Sequence, residues 1–304
     1  MLNVLKKNKT MERIKYLLFA ALFTALSGCT NKPDEIIACG DDQVIIIDRK
    51  ASTNEDINIS WRWKVSEVTD LPAIYQKYLI PTDECKPVDD NKILITSSGG
   101  GVVLVDRETK RSLFYAHAPM AHSVEYLPNG RIVVALSTAP GGNSIEVYDE
   151  KVSEKVIFKD SLYSGHGVVW MPKAKQLFAL GYDELRAYSL KNWETEKPEL
   201  QLLKKWVLPE NGGHDLTAVS DTRLILTTTL GVWVFNTSDE QFSPFELLNQ
   251  VGNVKSVNYN ETTKELIYTK GEISWWTHNI YSKNPDKIFT IPDINLYKVR
   301  VISK

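Results

Sequence analysis

Three histidines recur at near-regular intervals. His122, His166 and His214 are 44 and 48 residues apart, the last two in the dipeptides Gly165-His166 and Gly213-His214. A neutral imidazole can ligate a divalent metal or hydrogen-bond an organic ligand. Lys255, Lys298 and Arg300 follow later in the chain and supply cations suited either to a carboxylate or sulfate of a ligand or to pairing with Asp83, Glu125 or Asp215 around the channel. Spacings this long match no local metal motif, so these residues meet only if the fold repeats with the same period. Three uses of the histidines stay open: framework residues bonded within the sheets, contacts to an organic ligand, or metal ligands. We assign no metal site, and no cofactor is implied. Other chemistry finds no motif. Residues 97–101, Ser-Ser-Gly-Gly-Gly, lack the Gly-Lys-Ser/Thr ending of a phosphate loop, no Gly-x-Ser-x-Gly elbow occurs, and no carboxylate pair stands out.

The elements that must position these residues are short strands. Segments 43–48, 101–106, 144–149, 184–189, 231–236 and 273–278 superimpose, each rich in β-branched and aromatic residues. A second strand precedes each one, at 35–39, 92–96, 131–135, 176–180, 223–227 and 265–269. Turn-forming residues such as Gly99-Gly100 and Gly141-Gly142 join the two. Five units have a third, leading strand starting near Asp83, His122, His166, His214 and Lys255. The first unit lacks it, and residues 296–302 supply it from the other end of the chain. The expectation is an all-β, six-bladed β-propeller closed by its C-terminal strand, with seven blades as the alternative if residues 51–82 form another. Within that stretch, 59–64 reads as an outer strand of the first blade and 71–79 as a short helix or loop. The five leading residues then surround one opening, and Lys86, Glu125, Asp215, Lys298 and Arg300 follow on the same strands. Trp275-Trp276 reads as strand with both rings packed in the core, stacking on a sugar being the alternative, and Trp61, Trp63, Trp170 and Trp233 read the same way.

Residues 1–29 read as an export signal. Lys6, Lys7, Lys9, Arg13 and Lys15 precede an apolar run at 16–26 that is too short for a comfortable membrane span. Leu26-Ser27-Gly28-Cys29 resembles the bacterial lipobox, which implies acylation of Cys29 and a membrane anchor. Thr30 at the next position favours the outer membrane, facing either the periplasm or the medium. Residues 30–34 are then a tether and 35–304 the propeller domain. Cys39 and Cys85 fall on different blades and non-equivalent strands, which leaves open a bridge or two buried thiols. A formal charge of −2, with 24% charged and 43% apolar residues, argues against nucleic acid as a partner.

The lipobox, Gly165-His-Gly-Val-Val-Trp170, Gly213-His-Asp-Leu216, Lys255-Ser-Val257 and Ser274-Trp-Trp-Thr277 together resemble a family of exported β-propeller lipoproteins of unknown function from Gram-negative bacteria. That resemblance implies an envelope propeller and no catalytic residue. More distantly, histidines on a propeller rim are similar to the metal site of oligogalacturonate lyases, at the level of fold alone. Three functions follow as expectations. The first is a lipoprotein that binds a ligand, an anionic glycan being the candidate, through His122, His166, His214, Lys255, Lys298 and Arg300. The second is an interaction scaffold for another envelope protein. The third is a polysaccharide lyase or hydrolase at the same rim, with His166 or Lys255 as base.

Overall fold

The computed structural model describes residues 34–54 and 56–302. The export signal, the lipobox at Cys29 and the tether up to residue 33 lie outside the described residues. Among those described, no helix is long and apolar enough to cross a membrane.

Six four-stranded antiparallel sheets form the ring, one per blade. The sequence of their strands explains the architecture. Gln43–Asp48 reads Gln-Val-Ile-Ile-Ile-Asp, a continuous apolar run where a half-exposed strand would alternate. Val44 and Ile46 pack against Ile93, Ile95 and Val103 of the second blade, while Ile45 and Ile47 pack the opposite way on Ile267, Ile280 and Phe289 of the sixth. Each blade is therefore covered on both faces. Burying one such side chain contributes roughly 1.5–3 kcal/mol.

The innermost strands line the channel. In blade order they are Leu296–Val301, Thr82–Pro87, Ala121–Leu127, Gly167–Met171, Asp215–Ser220 and Val254–Tyr259. The first closes the ring by pairing with Glu35–Gly40, with Ile37 opposite Arg300 and Cys39 opposite Lys298. Two glycines mark where backbones converge. A Cβ on Gly40 would lie 2.1 Å from the Asn295 carbonyl oxygen at the closure, and one on Gly167 would lie 2.6 Å from Leu216 Cβ on the next blade.

Residues 51–82 add no seventh blade. Ile59–Lys64 is the outer strand of blade 1, and the rest includes a single helical turn, Tyr75–Tyr78. Its buried Tyr75 sits edge-on to Tyr115, with centroids 5.0 Å apart. Cys39 and Cys85 are free thiols in one apolar cluster between blades 1 and 2, and burial pushes the Cys85 thiol well up.

One strand differs from the sequence reading. The third strand of blade 6 is Asn279–Lys283, not 273–278. Residues Ile273–Trp276 instead form a tight reversal closed by hydrogen bonds between their own backbones, with Ser274 at φ +59°. Asn253 Nδ2 braces it by donating to the carbonyls of Gly271 (2.9 Å) and Ser274 (3.2 Å). Thr277 then pairs with Leu296 of the closing strand. These local bonds outweigh the β propensity of Ile-Ser-Trp-Trp-Thr. Trp275 is left 53% exposed rather than in the core. Trp63 is buried, and Trp61, Trp170 and Trp233 are half-buried against apolar clusters, as read.

Candidate functional site

The rim is built by one backbone device used four times. Met120, Ser164, Gly212 and Asn253 each have a positive φ of 58°, 48°, 80° and 59°. Each stands two residues before a rim side chain: His122, His166, His214 and Lys255. The left-handed residue turns the incoming loop sharply into the innermost strand. In the two blades with His122 and His166 it also curls its own carbonyl back onto the ring.

That carbonyl sets the tautomer. His122 Nδ1 lies 3.0 Å from the Met120 carbonyl oxygen, and His166 Nδ1 lies 2.9 Å from that of Ser164. A carbonyl only accepts, so each Nδ1 carries the proton and each Nε2 keeps a lone pair. Among the described residues neither Nε2 has a hydrogen-bond partner. Ser164 Oγ is 3.2 Å from the same His166 Nδ1, so that nitrogen has no lone pair with which to activate the hydroxyl.

The three imidazoles touch in sequence. Ring centroids are 4.4 Å apart for His122 and His166, and 5.3 Å for His166 and His214. Burial lowers the pKa of all three. His122 and His214 add to the effect at His166, and Lys255 and Lys298 help bring His214 down to about 3. The rim histidines are neutral at ordinary pH. His214 Nε2 is 3.3 Å from Lys255 Nζ, and its buried Nδ1 has no partner. Lys255 lies beneath Trp275, with Nζ 4.7 Å from the indole centroid. Burial, and then Lys298, bring this amine down to about 7. Tyr297 and Asp83 complete the ring of six strands. The Tyr297 ring is 6.2 Å from His122 and its hydroxyl has no hydrogen-bond partner among the described residues. Asp83 Oδ2 accepts the Ser98 N–H, and the Ser98 side chain also bonds this carboxyl; burial raises it despite the nearby His122 and these bonds.

His122, His166, His214, Tyr297 and Asp83 line a cavity of about 480 Å³, with Trp275, Trp276 and Tyr182 on its walls. Trp275 and Tyr182, at 53% and 40% exposure, are apolar surfaces turned outward at a polar floor. Among the described residues no three His, Cys, Asp or Glu side chains are arranged to hold a metal ion.

Lys298 and Arg300 lie deeper, inside the channel. Arg300 binds both oxygens of Glu84 (2.9 and 2.7 Å) and both of Asp215 (2.9 and 2.5 Å). Lys298 Nζ is 3.3 Å from each of those carboxylates and donates to the His122 carbonyl at 3.2 Å. Burial alone would raise both acids, but Arg300 and Lys298 outweigh it and hold them low. Two cations and two anions thus form a neutral plug. It separates the histidine mouth from a cavity of about 660 Å³ at the opposite end, where Lys86 is paired with Glu125 at 3.0 Å.

The structure therefore brings His122, His166, His214 and Lys255 together. It places Lys298 and Arg300 below them with their charges already taken up, and Cys29 lies outside the described residues. Tyr182 and Tyr297 belong to the site without having been singled out for it, and Trp275 belongs to it in place of the core packing expected first. Tyr297 was findable, because it is the second residue of its innermost strand, as Asp83 and His122 are of theirs. His117 stacks on Tyr78 and His278 Nδ1 lies 2.9 Å from the Ile294 carbonyl oxygen, both apart from the mouth.

No curated protein matches the chain. A family model described as a family of unknown function, DUF6528, matches residues 31–304, and the chain belongs to that family.

Proposed function

We propose that the histidine mouth is a binding site for a glycan, and that the protein is a lipoprotein held to the cell envelope through Cys29. The observation that carries the reading is the pairing of surfaces in one cavity. Among the described residues, the Nε2 lone pairs of His122 and His166 and the Tyr297 hydroxyl lack hydrogen-bond partners, and Trp275 and Tyr182 stand exposed beside them. A sugar ring offers the complement, with hydroxyls for the polar floor and an apolar C–H face for an indole. Framework histidines would have both ring nitrogens satisfied.

The test is calorimetric titration of the detergent-solubilised full-length protein with a panel of oligosaccharides, for the wild type and for His122→Ala/His166→Ala and Trp275→Ala variants. Binding that is lost in the variants, with circular dichroism unchanged, supports the site. Absence of binding by any oligosaccharide, or binding indifferent to these substitutions, refutes it. Product analysis of the same mixtures separates binding from lyase or hydrolase turnover. For the anchor, Cys29→Ala should abolish incorporation of labelled palmitate and release the protein from membranes; retention of label would remove Cys29 from the account.

A further inference from the structure

Resting on the glycan reading of the mouth, we infer that the ligand is an uncharged, hydroxyl-rich sugar and that the site discriminates against acidic ones. The charges that could receive a carboxylate or sulfate are not presented to the cavity. Arg300 is bonded on both sides by Glu84 and Asp215, and Lys298 lies 3.3 Å from each of the same two acids. Those four groups sum to zero charge, and none is more than 5% exposed. Lys255 is 1% exposed, roofed by Trp275 and bonded to His214.

What does face the cavity is rich in acceptors. His122 and His166 each donate from Nδ1 to a backbone carbonyl, so both Nε2 atoms can only accept. Asp83 adds a buried carboxyl, held by Ser98, that lines the cavity. Tyr297 adds a hydroxyl that can donate or accept. An anionic group placed there would meet lone pairs and a carboxylate, lose its hydration and gain no cation. A sugar hydroxyl would donate into the same lone pairs. Trp275 and Tyr182 accommodate a ring face whatever its charge, so they do not select; the floor does.

The experiment uses matched probes: oligogalacturonate, oligomannuronate and oligoglucuronate, each against its own carboxyl-reduced form, which keeps the linkages and removes only the charge. At least one reduced form should bind at least tenfold tighter than its acidic parent. Asp83→Asn, which keeps the shape and can still accept the Ser98 N–H, should shrink that ratio by improving the acidic ligand's affinity. Equal or tighter binding of the acidic forms to the wild type would overturn the inference while leaving the glycan site standing. A ratio unchanged in Asp83→Asn would overturn the role given to the floor. Failure of every probe, acidic and neutral, would take down the glycan reading itself.

Discussion

Lys255→Met tests the electrostatics of the mouth without depending on any ligand. The amine is enclosed by Trp275 and His214 and sits below its ordinary value of 10.5, at about 7. In the unfolded chain it keeps its proton up to about pH 10.5, and in the folded protein it loses it near 7. Between those limits the unfolded state binds the extra proton, so this residue makes stability rise with pH. Below 7 both states are protonated and the folded state carries the whole cost, about 5 kcal/mol at roughly 1.4 kcal/mol per pH unit. Methionine has similar length and no charge, and the loss of the bond to His214 adds a term that does not vary over this range. Urea-unfolding free energies, followed by tryptophan fluorescence at about pH 7.5 and 9.5, isolate Lys255 by subtraction, because other titrating groups are common to both proteins. Wild type should gain about 2–3 kcal/mol relative to Lys255→Met across those two pH units. A difference that stays flat would show that the amine is not held neutral, and the account of a mouth without free charge would lose its support.

Arg300→Met would leave Glu84 and Asp215 facing one another with Lys298 alone between them; the expected loss is about 3–5 kcal/mol, read as a lowered urea midpoint. Replacement of both acids and both cations together by apolar residues should cost much less, since no unpaired charge remains. Gly167→Ala drives a methyl to 2.6 Å from Leu216 Cβ, where two innermost strands meet, and should lower stability by about 1–3 kcal/mol in the same assay. Lys298→Met removes a positive charge that depresses His122, His166, His214 and Lys255 alike, so the rim imidazoles should titrate closer to their ordinary 6.5 in proton NMR; unchanged titration would show that Lys298 has no part in setting them.

The ring was legible in the sequence because each blade repeats the same apolar run and because the first blade visibly lacks a strand that the C-terminus carries. Register was the limit. Lys298 and Arg300 are two residues apart, so both face the channel, but nothing local says that Glu84 and Asp215 arrive opposite them from two other blades. The positions of the rim histidines followed from period, yet their chemistry did not. For His122 and His166 it depends on Met120 and Ser164, two unrelated residue types that share a positive φ and a carbonyl turned onto the ring. Trp275 was misplaced for a related reason. Ile-Ser-Trp-Trp-Thr has the composition of a strand, and the bonds that fold it into a turn come from Asn253, twenty-two residues earlier, and from Leu296 near the end of the chain.

The closing strand does more than complete a sheet. Its three residues Tyr297, Lys298 and Arg300 enter the channel in succession, the first at the mouth and the others in the plug. Lys298 lends its carbonyl to Cys39, its amine to His122's carbonyl, and its charge to four rim groups at once. A neutral plug would leave little field above it if its charges were evenly arranged. Lys298 approaches the rim through its bond to the His122 carbonyl, so the histidines sense a nearby cation before they sense the acids that balance it. Burial is the main reason the imidazoles stay unprotonated, and Lys298 adds to it, so their Nε2 lone pairs remain available. The residues that close the ring thereby also determine what kind of hydrogen bond the mouth can offer, and any change that loosens ring closure should degrade the site's chemistry before it unfolds the blades.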